Sequence, residues 1–217
     1  MTKTVSREGT NSKIHWNPAA PILPSKKFCE SLKSTNYDCR FDNAQIVHSE
    51  DESYKFNSSI QEVENADAIL LIGSNPRWEA SALNVRIRKA FINNNCKVGL
   101  IGPDLDLNYS YSKISNSLGG LNDILDNKSE FSKDLFNAKN PIIIVGTSAI
   151  NTSQGSSILK TCAEIAKKLP NFSGSFNPLN VLNQDISRVG SLELGFVNKV
   201  FDGDFEKKLK EQIYKNK

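Results

Sequence analysis

The sequence predicts an α/β domain built on a doubly wound, mostly parallel sheet with long irregular loops. Three observations predict it. The runs Ala68–Ile72, Lys97–Ile101 and Pro141–Val145 are short, nearly unbroken apolar stretches, the pattern of strands covered on both faces. Each ends at a glycine: Gly73, Gly102 and Gly146. Amphipathic stretches of about four turns lie between and after them, and a strand, such a helix and a second strand make a right-handed crossover nearly obligatory.

The elements follow in order. Residues 1–25 carry Pro18, Pro21 and Pro24, several cations and one acid, with almost no apolar periodicity. They read as an extended arm. No apolar run follows the charges, so neither a secretory signal nor a mitochondrial presequence is expected. Residues 26–200 form the main domain. A short helix is expected over 26–32, with Phe28 and Leu32 at i, i+4. Residues 34–52 read as an irregular loop, and 58–64 as a short helix leading into the first strand.

After that strand, Asn75 is expected as N-cap and Pro76 as first helical residue. On the helix over 79–93, Leu83, Ile87, Ala90 and Phe91 form one apolar stripe, and the asparagines 93–95 end it. Residues 104–117 are polar and loop-like, and short helices are expected over 119–126 and 130–138. The helix over 156–169 places Ile158, Cys162, Ile165 and Leu169 on one face. The segment 189–195 shows no clear periodicity, and 201–217 reads as a lysine-rich helix or tail.

Composition excludes several classes. Lys and Arg number 27 against 24 Asp and Glu, a net charge of +3, too little to imply nucleic-acid binding. No apolar run reaches the ~18–20 residues that cross a bilayer. The chain is expected to be soluble, or peripheral to something that is not. Cys29, Cys39, Cys96 and Cys162 are too far apart for the short-spaced pairs of zinc or iron–sulfur sites, and read as reduced, mostly structural thiols.

Two features remain as candidate sites. Gly73-Ser74-Asn75-Pro76 could cradle a phosphate at a helix start, or be a plain strand-to-helix turn; neither G-x-G-x-x-G nor a Walker motif is present. Arg77, Arg86, Arg88 and Lys89 make a basic face, either solvated or in contact with a partner. His15 and His48 stand apart as loop histidines, Asp38 and Asp42 are not placed as an acid/base pair, and no serine lies in a nucleophile elbow. Neither a catalytic group nor a metal site is expected.

Several blocks resemble a known family. Ser-Thr-Asn-Tyr-Asp-Cys-Arg (34–40), Ala-Asp-Ala-Ile-Leu-Leu-Ile-Gly-Ser-Asn-Pro-Arg-Trp-Glu-Ala (66–80) and Leu-Asn-Val-Arg-Ile-Arg-Lys (83–89) are similar to the large iron–sulfur subunit of respiratory complex I. The runs at 97–103, 141–146 and 188–197 continue the likeness in the same order. It falls on the family's carboxyl-terminal, molybdopterin-oxidoreductase-like part; the block at 66–80 alone also resembles molybdopterin enzymes such as formate dehydrogenase.

The resemblance implies a structural part of the peripheral arm that supports electron transfer from NADH to quinone, as a split or shortened subunit. It implies a vestigial pocket at Gly73, Ser74 and Asn75 that binds no cofactor. Iron–sulfur clusters and FMN are expected in partner subunits, chiefly the chain carrying the cluster-binding half. The implied location is the matrix side of the mitochondrial inner membrane, or the cytoplasmic side of a bacterial one. The alternative is a molybdopterin- or nucleotide-binding domain of an oxidoreductase.

Overall fold

The computed structural model describes residues 22–34, 37–40, 42, 44–46, 54–117, 119–173, 176–185 and 187–197, with the backbone of two short strands nearer the amino terminus. The chain divides into two compact units, residues 1–43 with 185–217, and residues 44–184. The expected helix or tail at 201–217 and His48 lie outside the described residues.

In the first unit, β1 (Thr4–Val5) pairs antiparallel with β2 (Ile14–His15). His15, expected in a loop, is therefore in a strand. Helix α1 (Ile22–Ser31) begins four residues before the expected start, because Pro24 falls in its first turn, where a missing N–H costs nothing. Phe28 and Leu32 do not form a buried stripe; both are exposed.

The second unit begins its regular structure with α2 (Ile60–Glu64), held by a capping box between Ser59 and Glu62. Strand β3 (Ala68–Ile72) follows, every residue buried. Instead of one helix there are two: a single turn, α3 (Pro76–Glu79), then α4 (Ser81–Asn94). The break is at Ala80, with φ −151° and ψ 69°. Asn75 is the N-cap and Pro76 the first helical residue, as expected, but the Asn75 side chain makes no cap bond. The Asn75 N–H instead donates to Glu79 Oε1 at 2.7 Å, so the acid four residues on closes the turn. Asn95 ends α4 in the left-handed conformation, φ 51°, which asparagine tolerates.

Strand β4 (Lys97–Ile101) leads to β5 (Ser112–Ser115), a strand inside the stretch read as loop. Its Ser-Lys-Ile-Ser sequence lacks an apolar signal because it is a solvated edge. Helices α5 (Gly120–Leu125) and α6 (Glu130–Asn137) precede β6 (Pro141–Val145). Then come a single turn, α7 (Thr147–Ile150), and α8 (Gly155–Lys168). Strand β7 (Leu179–Val181) closes the unit, and α9 (Arg188–Glu193), in the segment read as aperiodic, belongs to the first.

The sheet is wholly parallel in the order β5-β4-β3-β6-β7. The expected doubly wound fold is present. Alternation along the strands divides the core. Ile69, Leu71, Val98, Leu100, Ile142 and Ile144 share one cluster with Val63 of α2 and Leu83, Ile87 and Ala90 of α4. Leu70, Ile72, Ile143 and Val145 face the other way, toward the side of α6 and α8. There Gly99 admits the Phe131 ring, which a Cβ would meet at 2.6 Å.

Three polar groups inside are paired in ways that tie elements together, as burial favours. Tyr109 donates to Asn84 Oδ1 at 2.9 Å, and burial pushes that phenol's pKa up. Asn180 accepts from the Ser58 N–H at 2.7 Å and donates to the Ser58 hydroxyl at 2.9 Å. Asp67, just before β3, accepts from the N–H groups of Lys139 and Asn140 at 2.7 and 2.9 Å, fixing the start of β6.

Candidate functional site: the carboxyl ends of the central strands

In an open parallel sheet the ligand crevice lies at the carboxyl ends of the strands, where the winding direction reverses. Here that point is between β3 and β6, the two strands from which the chain winds outward in opposite directions. Both are followed by a glycine, a single helical turn and a 14-residue helix, so two equivalent turns meet there.

They meet so closely that they fill the crevice. Gly73 takes φ +53°, and a Cβ on it would lie 2.8 Å from the Ala149 Cβ. A Cβ on Gly146 would lie 2.3 Å from the Gly73 carbonyl oxygen and 2.5 Å from the Ser74 Cβ. The Gly146 N–H donates to Ile72 O at 2.9 Å, and the Ser148 hydroxyl donates to the Gly73 carbonyl. The approach to the Gly73 backbone that a phosphate would need is taken by Ser148 and Ala149.

What remains is a cavity of ≈ 80 Å³ bounded by the turns after β3 and β4, Leu105 and Ser148. A pocket for a cofactor-sized ligand is about 300–1,000 Å³. The residues present therefore do not fit a pterin or a nucleotide. Tyr111 pins the loop beside the cavity, its hydroxyl accepting from Leu105 N–H at 2.9 Å and donating to Leu105 O at 3.0 Å. A roomier recess, ≈ 300 Å³, lies at the opposite end of the sheet among Glu62, Asn65, Asn140, Ile142, Asn171 and Phe176.

The four basic residues are not brought together as one face. Arg77 reaches the loop after β4, donating to Asp106 O at 3.0 Å and Asp106 Oδ2 at 2.6 Å. Arg86 and Lys89 both turn to Glu64 at the end of α2, at 2.6 and 3.2 Å. These two bonds hold the Glu64 carboxyl below its ordinary pKa. Arg88 alone of the four has no ion-pair partner among the described residues.

Arg88 lies on a different face of α4, with Ser81, Val85 and Ile92 at i, i+4, i+7 and i+11. That face is opposite the buried Leu83, Ile87 and Ala90. Val85 is 54 % exposed and Ile92 63 %, and Trp78 on α3 is 82 % exposed. The outward side of α4 thus carries apolar side chains on either side of Arg88. Sequence periodicity had found the inner stripe; the outer one was equally visible at 85 and 92.

The first unit holds a buried charge cluster that sequence reasoning missed. Arg188 is 1 % exposed, with one guanidinium nitrogen 2.7 Å from Asp42 Oδ1 and bonded also to Asp185. Beside it, Arg40 grips Asp38 through two side-chain bonds of 2.8 and 2.5 Å. Asp38 and Asp42 are thus partners of arginines. Burial, with the Asp38 charge, pushes the adjacent Cys39 thiol up to about 11. Cys96 and Cys162 are buried and pushed up to about 12, burial being the main cause in both. All four cysteines are unpaired, and no cluster of three or more metal-ligating side chains occurs among the described residues.

Comparison with known proteins places these features in a family context. A family model described as Molybdopterin oxidoreductase matches residues 6–211. The chain is 34 % identical over 187 residues to the mitochondrial NADH-ubiquinone oxidoreductase 78 kDa subunit of Candida albicans, covering 85 % of this chain and 26 % of that one. It is 34 % identical over 179 residues to the mitochondrial NADH dehydrogenase [ubiquinone] iron-sulfur protein 1 of Solanum tuberosum, with 82 % and 24 % covered. Against the NADH-ubiquinone oxidoreductase 75 kDa subunit of Reclinomonas americana the identity is 33 % over 187 residues, covering 85 % and 25 %. The chain thus spans about a quarter of the length of the curated relatives it matches.

Proposed function

The chain belongs to the molybdopterin oxidoreductase family, and from that premise we propose that it is a structural part of the peripheral arm of respiratory complex I. In this reading it supports NADH-to-quinone electron transfer by packing against the cluster-bearing domain and neighbouring subunits, and carries no electrons itself. The observation that carries the reading is its likeness, along more than four-fifths of its length, to large subunits of NADH-ubiquinone oxidoreductase.

The geometry supports a scaffold over a cofactor enzyme. The crevice that a pterin would enter is filled by Ser148 and Ala149. The thiols that could serve a cluster are dispersed, and the buried pair is held protonated. Iron–sulfur clusters and FMN are therefore assigned to partner subunits, and no cofactor to these residues. No helix among the described residues is long and apolar enough to cross a membrane. The proposed location is the matrix side of the mitochondrial inner membrane, the alternative being the cytoplasmic side of a bacterial one.

Of the four basic residues, Arg88 is placed in the subunit interface with Val85, Ile92 and Trp78. Arg77, Arg86 and Lys89 flank it while holding internal partners. Complementation with Val85→Glu/Arg88→Glu tests this. The altered chain is expected to fold with an unchanged melting temperature and to be lost from the assembled complex on native gels. Assembly at the unaltered level overturns the placement.

A further inference from the structure

Cations are plentiful along α3 and α4, yet most are spoken for. Arg77 is taken by Asp106, and Arg86 and Lys89 by Glu64. Arg88 is exposed and has no ion-pair partner among the described residues. At 3.6 residues per turn, Val85, Arg88 and Ile92 fall within about 60° of arc on α4. They lie on the side away from the buried Leu83, Ile87 and Ala90. The free guanidinium thus stands between two exposed aliphatic side chains, one turn to either side.

Three kinds of occupant could meet such a stripe, and its charge separates them. An anionic membrane surface is held by clusters of about 4–8 Lys or Arg. The pairing with Glu64 and Asp106 leaves only Arg88 free of the four. A second copy of the chain would meet the stripe through the same patch. The stripe is centred on Arg88, so two copies would set like charges against each other. A single cation between apolar neighbours instead complements a single carboxylate between apolar neighbours, and Arg is the cation suited to gripping one in a desolvated contact.

The shape of the stripe points to the element that bears that carboxylate. Val85, Arg88 and Ile92 step along α4 by three residues and then four, the rows that interlock when two helices pack. Ser81 and Ala82, one turn before Val85, are exposed and small, which lets a second helix approach closely. From Ser81 to Ile92 the stripe runs about 16 Å, three turns. We propose that it docks an amphipathic helix of another subunit, one with an Asp or Glu flanked by apolar residues a turn before and a turn after. The carboxylate meets Arg88, and the apolar pair packs on Val85 and Ile92. This inference rests on the subunit reading and adds the chemistry of the partner to it.

The full chain is produced in complemented cells with the photoreactive residue benzoylphenylalanine in place of Ile92, irradiated and purified natively. Mass spectrometry then identifies its companions and the cross-linked peptide. The expected link is to a peptide of another NADH dehydrogenase subunit with the apolar–acid–apolar pattern. Arg88→Glu is expected to lower the chain's share in the assembled complex about ten-fold or more, since it sets like charges together in a desolvated contact. Placing Lys at the linked acid of the partner is expected to restore that share, which a loss of packing alone would not allow.

A chain that travels with the complex but links at position 92 to nothing, to lipid, to its own copy or to a peptide without the acid overturns the proposal and leaves the subunit reading standing. Failure of the reversed acid to restore Arg88→Glu overturns it as well. A chain that does not travel with NADH dehydrogenase subunits overturns both.

Discussion

A methyl group placed on Gly146 would lie 2.3 Å from the carbonyl oxygen of Gly73, so the ends of β6 and β3 touch backbone to backbone. Gly146 itself has φ −93°, which any residue adopts. The contact, and not the conformation, demands glycine there. Gly146→Ala is therefore expected to cost about 1–3 kcal/mol by overpacking, read as a lower urea midpoint with an unchanged m-value. A variant as stable as the parent would mean that the crevice has room the geometry denies it.

Arg188 gives a second prediction. Its guanidinium is almost wholly buried between Asp42 and Asp185, whose side chains keep some solvent. Arg188→Met keeps much of the packing but removes the positive charge from between two carboxylates. Breaking a buried pair from one side costs about 3–5 kcal/mol, and the partial exposure of both acids puts the expected loss at the low end. Chemical denaturation measures it; an effect within experimental error would mean the cluster is decorative.

Glu64 predicts a pH dependence whose sign is fixed. Arg86 and Lys89 lower its folded-state pKa below the ordinary value of 4.5. The stability it contributes is present above that value and is lost as pH falls through the lowered folded one. Glu64→Gln should accordingly differ from the parent at pH 7 and converge with it on acidification. The pair is solvent-exposed, so the difference should also shrink in 1 M salt, where the screening length is about 3 Å. A difference that persists unchanged at low pH contradicts the assignment.

The buried thiols yield a fourth. A shift of the Cys162 pKa from 9.0 to about 12 leaves roughly a thousandth of the thiolate at a given pH, and thiolate is the reactive form. Iodoacetamide at pH 8 should spare Cys96 and Cys162 in the native chain and modify both in denaturant, as peptide mass spectrometry would reveal. Rapid native labelling of either would contradict a purely structural role.

Legibility followed physics element by element. Strands β3, β4 and β6 were readable because strands covered on both faces need near-continuous apolar residues, and their following glycines marked the turns. Strand β5 was not, because Ser112–Ser115 is an exposed edge, and β7 is three residues long. The break at Ala80 carries no Gly or Pro to announce it. The turn at Gly73 was legible as a turn, but what fills it comes from Ser148 and Ala149, some 75 residues away. The basic residues were found, yet their partners Glu64 and Asp106 are 22 to 29 positions distant, beyond any local pattern. Asp42 meets Arg188 only through the fold, whereas Asp185 stands three residues before Arg188 and lay within local reach.

The central claim, a scaffold in complex I and not a cofactor enzyme, is tested most directly by native purification of the tagged chain in mild detergent, with mass spectrometry of its companions and assays for molybdenum and pterin. The account predicts NADH dehydrogenase subunits in fixed stoichiometry and neither molybdenum nor pterin above background. A solitary chain carrying stoichiometric pterin or nucleotide would contradict it, and would require the turns at Gly73 and Gly146 to part.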